Sequence, residues 1–97
     1  MIVGVVRLVL FLPECHSLKE KRSVVKPLLT HLQSELRLSA AEVEDLDKWQ
    51  SAVLGVTCVA NDARHADAVL ASVASFVEAR AHEAVLVGFE TELVHAL

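Results

Sequence analysis

The residues best equipped for chemistry are scattered, and their spacing limits what each can do. Cys15-His16 stands directly before a run that opens Ser17-Leu18-Lys19-Glu20-Lys21-Arg22. A thiol at the start of a helix is biased toward thiolate by the helix dipole. Nucleophilic catalysis also needs a positioned base and oxyanion donors, and sequence neighbours rarely face one another. The pair therefore reads as a loop feature. It becomes a small enzyme or ligand pocket only if Asp62 and His65 converge on it, and that is the alternative function. Cys58 reads as a core thiol, His31 as a residue on the solvated side of its helix, and His65 as a solvated first-turn residue. His82-Glu83 lacks the second histidine of a zinc-binding helix. Cys15 and Cys58 supply neither a disulfide framework nor paired zinc ligands, so no metal site follows from the spacing.

The second set is cationic. Lys19, Arg22 and Lys26 recur at spacings of three and four, which puts them on one flank of a helix, with Lys21 nearby. Such an edge can meet phosphates of a nucleic acid or an acidic partner.

The element that positions these cations is the helix itself. Ser17 followed by Glu20 is a capping box, so the helix starts there and runs to Leu36. Leu18, Val25, Leu29, Leu32 and Leu36 form its apolar stripe, with Val24 and Leu28 on the margin. Pro27 falls opposite that stripe, where loss of one backbone donor bends the helix. Before it, Met1–Leu12 is rich in β-branched residues and closed by Pro13, which predicts a strand. Arg7 marks the face Val3, Val5, Arg7, Val9, Phe11 as the one turned away from the helices, because an unpaired buried arginine is costly.

After the helix, Arg37–Glu44 reads as a second strand, with Ala41 and Val43 inward and Glu42 and Glu44 outward. Asp45–Lys48 is a polar hairpin loop. Trp49–Ala60 is a third strand, with Leu54, Val56 and Cys58 inward and Val53, Thr57 and Val59 outward. Asp62 caps a second helix, Ala63–Arg80, whose stripe is Ala66, Val69, Leu70, Val73, Phe76 and Val77. Ala84–Leu93 is a fourth strand. Gly4, Gly55 and Gly88 all fall inside strands, where they make room for large neighbours.

The order β-α-β-β-α-β predicts an α+β, ferredoxin-like sandwich: a four-stranded antiparallel sheet, order 4-1-3-2, with two helices on one face. Residues 1–97 are too few for a second core, so one domain is expected. The other sheet face is left bare. Val3, Val5, Val9, Phe11, Val53, Val59 and Leu86, with Trp49, make it more apolar than a monomer usually tolerates, so the expected occupant is a second copy in a homodimer.

Composition narrows the function further. Thirteen acidic residues against nine basic ones give a formal charge of −4, which is wrong for nucleic-acid binding over the whole surface. Ferredoxin-like RNA binders stack bases on aromatics of the open sheet. Here that sheet has no such motif, and Glu42, Glu44 and Glu90 oppose Arg7 alone. Acylphosphatases share the element order, but their phosphate-cradling loop, of G-x-V-Q-G-V-x-F-R type, is replaced by Phe11-Leu12-Pro13-Glu14-Cys15-His16, without glycine or arginine. No apolar run is long enough to span a membrane, and Met1–Leu12 lacks the basic leader and cleavage site of a secretory signal. A cytoplasmic location is expected.

Four short stretches, S-L-K-E-K-R at 17–22, A-E-V at 41–43, W-Q at 49–50 and N-D at 61–62, carry a resemblance to one family across essentially the whole chain. The sequence resembles the bacterial domain of unknown function 503, the YlxP-like family. The resemblance implies a ferredoxin-like fold with no assigned reaction or cofactor. It also implies a gene neighbourhood of transcription and translation-initiation factors, near a ribosome-binding factor, which makes the ribosome or a structured RNA the expected partner. The expectation is a non-enzymatic interaction module that self-associates through its open sheet and meets RNA with Lys19, Lys21, Arg22 and Lys26.

Overall fold

A computed structural model describes residues 1–97. The strand β1 (Ile2–Phe11) alternates buried with half-buried residues, as its period-two apolar pattern demands. Helix α1 (Leu18–Glu35) begins at Ser17, whose hydroxyl accepts from the Glu20 amide, while the Glu20 carboxylate accepts from the His16 amide. Pro27 lies exposed inside it. The strands β2 (Ser39–Glu44) and β3 (Ser51–Ala60) follow. Helix α2 (Ala63–Arg80) is capped by Asp62, which accepts from the His65 amide, and β4 (Val85–His95) closes the chain. The expected strands at Arg37–Glu44, Trp49–Ala60 and Ala84–Leu93 are thus shifted slightly, and Trp49 belongs to the loop.

The sheet is antiparallel in the order β2-β3-β1-β4, the arrangement expected from the chain order. Both helices cover one face. Their buried residues join Ile2, Val6, Leu8, Leu10, Leu54, Val56 and Cys58 in a single core cluster. Helix α2 presents Ala66, Leu70, Val73 and Val77 at spacings of four, three and four. It lies very close to β1 at Gly4, where a Cβ would come 2.9 Å from Cys58 Sγ and 3.1 Å from Leu70 Cδ2. Glycine is what permits that approach.

Two β-bulges revise the expected faces. In β2, Glu42 pairs with Leu54 and Glu44 with Val53, leaving Val43 as the extra residue. Ala40 and Glu42 therefore share the helix side with Val56 and Leu54, while Ala41 lies opposite Gly55 on the open face. This reverses the expectation for Ala41, Val43 and Glu42. In β4, Gly88 pairs with Val9 and Leu86 with Leu10, leaving Val87 as the extra residue. Leu86, expected on the open face, instead packs against the core, and Val85 takes the outward place opposite Phe11. A one-residue insertion exchanges faces beyond it because side chains alternate with period two.

Candidate functional site

Lys21 does not belong to the basic edge. It sits four, seven and eleven residues before Val25, Leu28 and Leu32, so it occupies the first position of the buried stripe and is 2% exposed. A buried ammonium needs partners, and it has them. Lys21 Nζ donates to the carbonyls of Asp45 (2.6 Å) and Lys48 (2.8 Å) and lies 2.6 Å from Glu42 Oε2. Glu42 reaches the helix side through its pairing with Leu54, and the bulge at Val43 is what turns Glu44 to the open face beside Arg7.

This ion pair organises the β2–β3 loop. Asp45 adopts a left-handed backbone (φ 58°), and its carboxylate accepts from the Ser51 hydroxyl. That hydrogen bond holds the Asp45 carboxyl below its ordinary range. The Gln50 carbonyl accepts from the Leu12 amide, and Gln50 Nε2 donates to the Pro13 carbonyl. The loop so pinned displays Trp49, 52% exposed, together with Leu46. Three of the four stretches that carry the family resemblance, at 17–22, 41–43 and 49–50, meet at this corner.

The open sheet face is divided by charge. Arg7 donates through Nε and Nη2 to the two Glu44 oxygens (2.9 and 2.7 Å) and through Nη1 to Glu90 (3.1 Å), bridging to both border strands. The guanidinium holds the Glu44 carboxyl below its usual value, mainly through its hydrogen bond. Its own pKa is raised. On either side of this bridge the surface is apolar. Val3, Val5 and Val9 are half-buried, while Phe11, Val59, Val85 and Val94 are exposed, Val59 by 69%. Val53 is on the expected face but only 1% exposed, so it supports that surface rather than forming it.

Lys19, Arg22 and Lys26 are exposed along α1. Between the helices a cleft of about 370 Å³ is lined by Ser23, His31, Arg80, His82 and Glu83. Two of its side chains are engaged with Glu35: His31 Nδ1 lies 2.8 Å from it, and Arg80 Nη2 donates to it at 2.7 Å.

The pocket imagined around Cys15, His16, Asp62 and His65 is not assembled. Register places Phe11 opposite Ser51 and Ile2 opposite Ala60. Cys15 and His16 therefore lie beyond one end of the sheet and Asp62 and His65 beyond the other, separated by on the order of 30 Å for strands rising ~3.4 Å per residue. No cleft is lined by any of the four. Cys15 is buried, and desolvation, reinforced by Glu20, raises its thiol pKa. It is protonated at neutral pH, the reverse of an activated nucleophile.

Fold and surfaces together define an α+β domain of ferredoxin-like arrangement, whose distinctive internal feature is a lysine-pinned loop corner. A sequence model of the family described as "Protein of unknown function (DUF503)" matches residues 3–91, and the chain belongs to that family. A relative from Bacillus subtilis (strain 168), named "Uncharacterized protein YlxP", is 34% identical over 62 residues, covering 64% of this chain and 67% of that protein. No helix is long and apolar enough to cross a membrane.

Proposed function

We propose that this chain is a non-enzymatic interaction module that self-associates through its open sheet face. The observation that supports the reading is the apolar surface flanking Arg7, contributed by Val3, Val5, Val9, Phe11, Val59, Val85 and Val94. Exposed apolar area of this kind is what a partner interface removes from water. A two-fold pairing meets the same surface with itself. Stacking the bridges of two copies directly over one another would bury an excess of carboxylates, so the favoured pairing is offset onto the apolar lobes. Sedimentation equilibrium at micromolar concentration should give a dimer mass, and Val59→Lys with Val94→Lys should give a monomer. A monomer mass for the unaltered chain would overturn the reading.

A second contact rests on a different observation. Lys19, Arg22 and Lys26 are exposed and make no ion pair within the chain, whereas Glu44, Glu90 and Glu92 lie on the sheet away from α1. Phosphates would therefore be met on the helix side rather than on the open sheet. That favours a ribosomal or structured-RNA partner and carries a cytoplasmic location with it. Reversing all three cations to Glu should abolish co-sedimentation with ribosomal particles and flatten its salt dependence. Unchanged co-sedimentation would refute this contact.

A further inference from the structure

We infer that the free border of β4 takes up an extended peptide in which apolar and basic residues alternate, adding it to the sheet as a further strand. The strand Val85–His95 pairs with β1 on one side only, because β4 ends the sheet order. Its outer backbone amides and carbonyls are thus available for ladder hydrogen bonds. Border strands are commonly blocked by lysine, proline or a bulge. This one contains neither lysine nor proline, and its bulge at Val87 leaves Gly88–His95 in unbroken register with Ile2–Val9.

The chemistry of the occupant follows from what the border displays. On the open face Glu90 and Glu92 stand two residues apart, both exposed, with Glu90 shared with Arg7 and Glu92 free of any ion pair. On the helix side of the same strand stand Phe89, still partly exposed, and half-buried Leu93. An added strand carrying Lys or Arg on one side and aliphatic residues on the other matches both faces. A second copy does not. Two β4 strands paired about Thr91 would set Glu90 against Glu92 of the other copy, and on the same face β2 offers another carboxylate, Glu44. Like charges opposed across a ladder are destabilising, so the border repels its own kind and selects a cationic strand.

The test uses the whole chain, labelled with nitrogen-15, and a synthetic nine-residue peptide of alternating valine and lysine. The expected result is saturable binding at low salt, with amide shifts and slowed exchange concentrated in Gly88–His95. Glu92→Lys, which leaves the Arg7–Glu90 contact intact, should weaken binding at least tenfold, and Glu90→Lys with Glu92→Lys should abolish it. A peptide of the same composition with its lysines blocked together should bind at least tenfold more weakly. Equal binding of that control, shifts centred away from β4, an unaffected Glu92→Lys variant, or no binding at millimolar peptide would each overturn the inference.

Discussion

Replacing Lys21 with methionine keeps its length and removes its charge. The ammonium is 2% exposed and meets two carbonyls and one carboxylate within 2.8 Å. Methionine leaves Glu42 without its counter-charge and the Asp45 and Lys48 carbonyls without a donor. Breaking a buried ion pair from one side costs ~3–5 kcal/mol. The Glu42 side chain retains 20% exposure and recovers some hydration, which places the loss near the lower bound, ~3 kcal/mol. In a domain of this size ~1 kcal/mol moves the melting temperature by ~4–8 °C, so the shift should be about 12–24 °C. Urea denaturation followed by circular dichroism measures the loss directly. Hydrogen exchange should show Asp45–Gln50 losing protection before β1 does. Adding Glu42→Gln to the methionine variant removes the orphaned charge and should restore ~1–2 kcal/mol, leaving the carbonyls as the remaining deficit. A loss under ~1 kcal/mol, or a double variant no better than the single one, would refute the assignment of Lys21 as the pin of this loop.

Other expectations rest on separate contacts. Gly4→Ala places a methyl against Cys58 Sγ and Leu70, and overpacking there should destabilise the fold by ~1–3 kcal/mol in the same denaturation assay. Arg7→Met should raise the Glu44 pKa toward its ordinary value, as read by carbon-13 titration of the carboxyl, because the guanidinium hydrogen bond depresses it. A depressed carboxylate stabilises the fold above its unfolded pKa, and that share is lost as pH falls through the lower folded value. The unaltered chain should therefore show an acid-side loss from Glu44 that Arg7→Met lacks. Cys15 and Cys58 are both buried, and burial raises the Cys15 pKa, so a thiol reagent at pH 8 should label neither until denaturant is added.

What could be read from the chain in advance depended on how local each signal was. Ser17 with Glu20 and Asp62 with the His65 amide are caps closed within a few residues, so both helix starts are visible in the sequence. The period-two run of β1 likewise assigns its own faces, and Arg7 marks the open one correctly. The border strands mislead because a bulge has no signature in a short apolar stretch. Leu86 and Ala41 change sides only through pairing with Leu10 and Gly55. Lys21 is hidden differently: its place on the stripe with Val25, Leu28 and Leu32 is legible, but charge argues it outward until Glu42 is known to lie beneath. The Cys15, His16, Asp62 and His65 grouping fails on distance, since β1 and β3 run antiparallel and carry the two loops to opposite ends.

The two spare valines, Val43 and Val87, bear on how relatives of this chain should be compared. Each sits where its strand has one residue more than its neighbour. A gap of a single position at either place would look trivial in a sequence comparison. Physically it would remove the bulge and straighten the ladder, and Glu42 opposite Leu54 and Leu86 opposite Leu10 would keep their faces only where the residue lost is the extra one rather than a paired one. Comparisons among members should therefore score those two columns by which way the flanking side chains point, rather than by what they are.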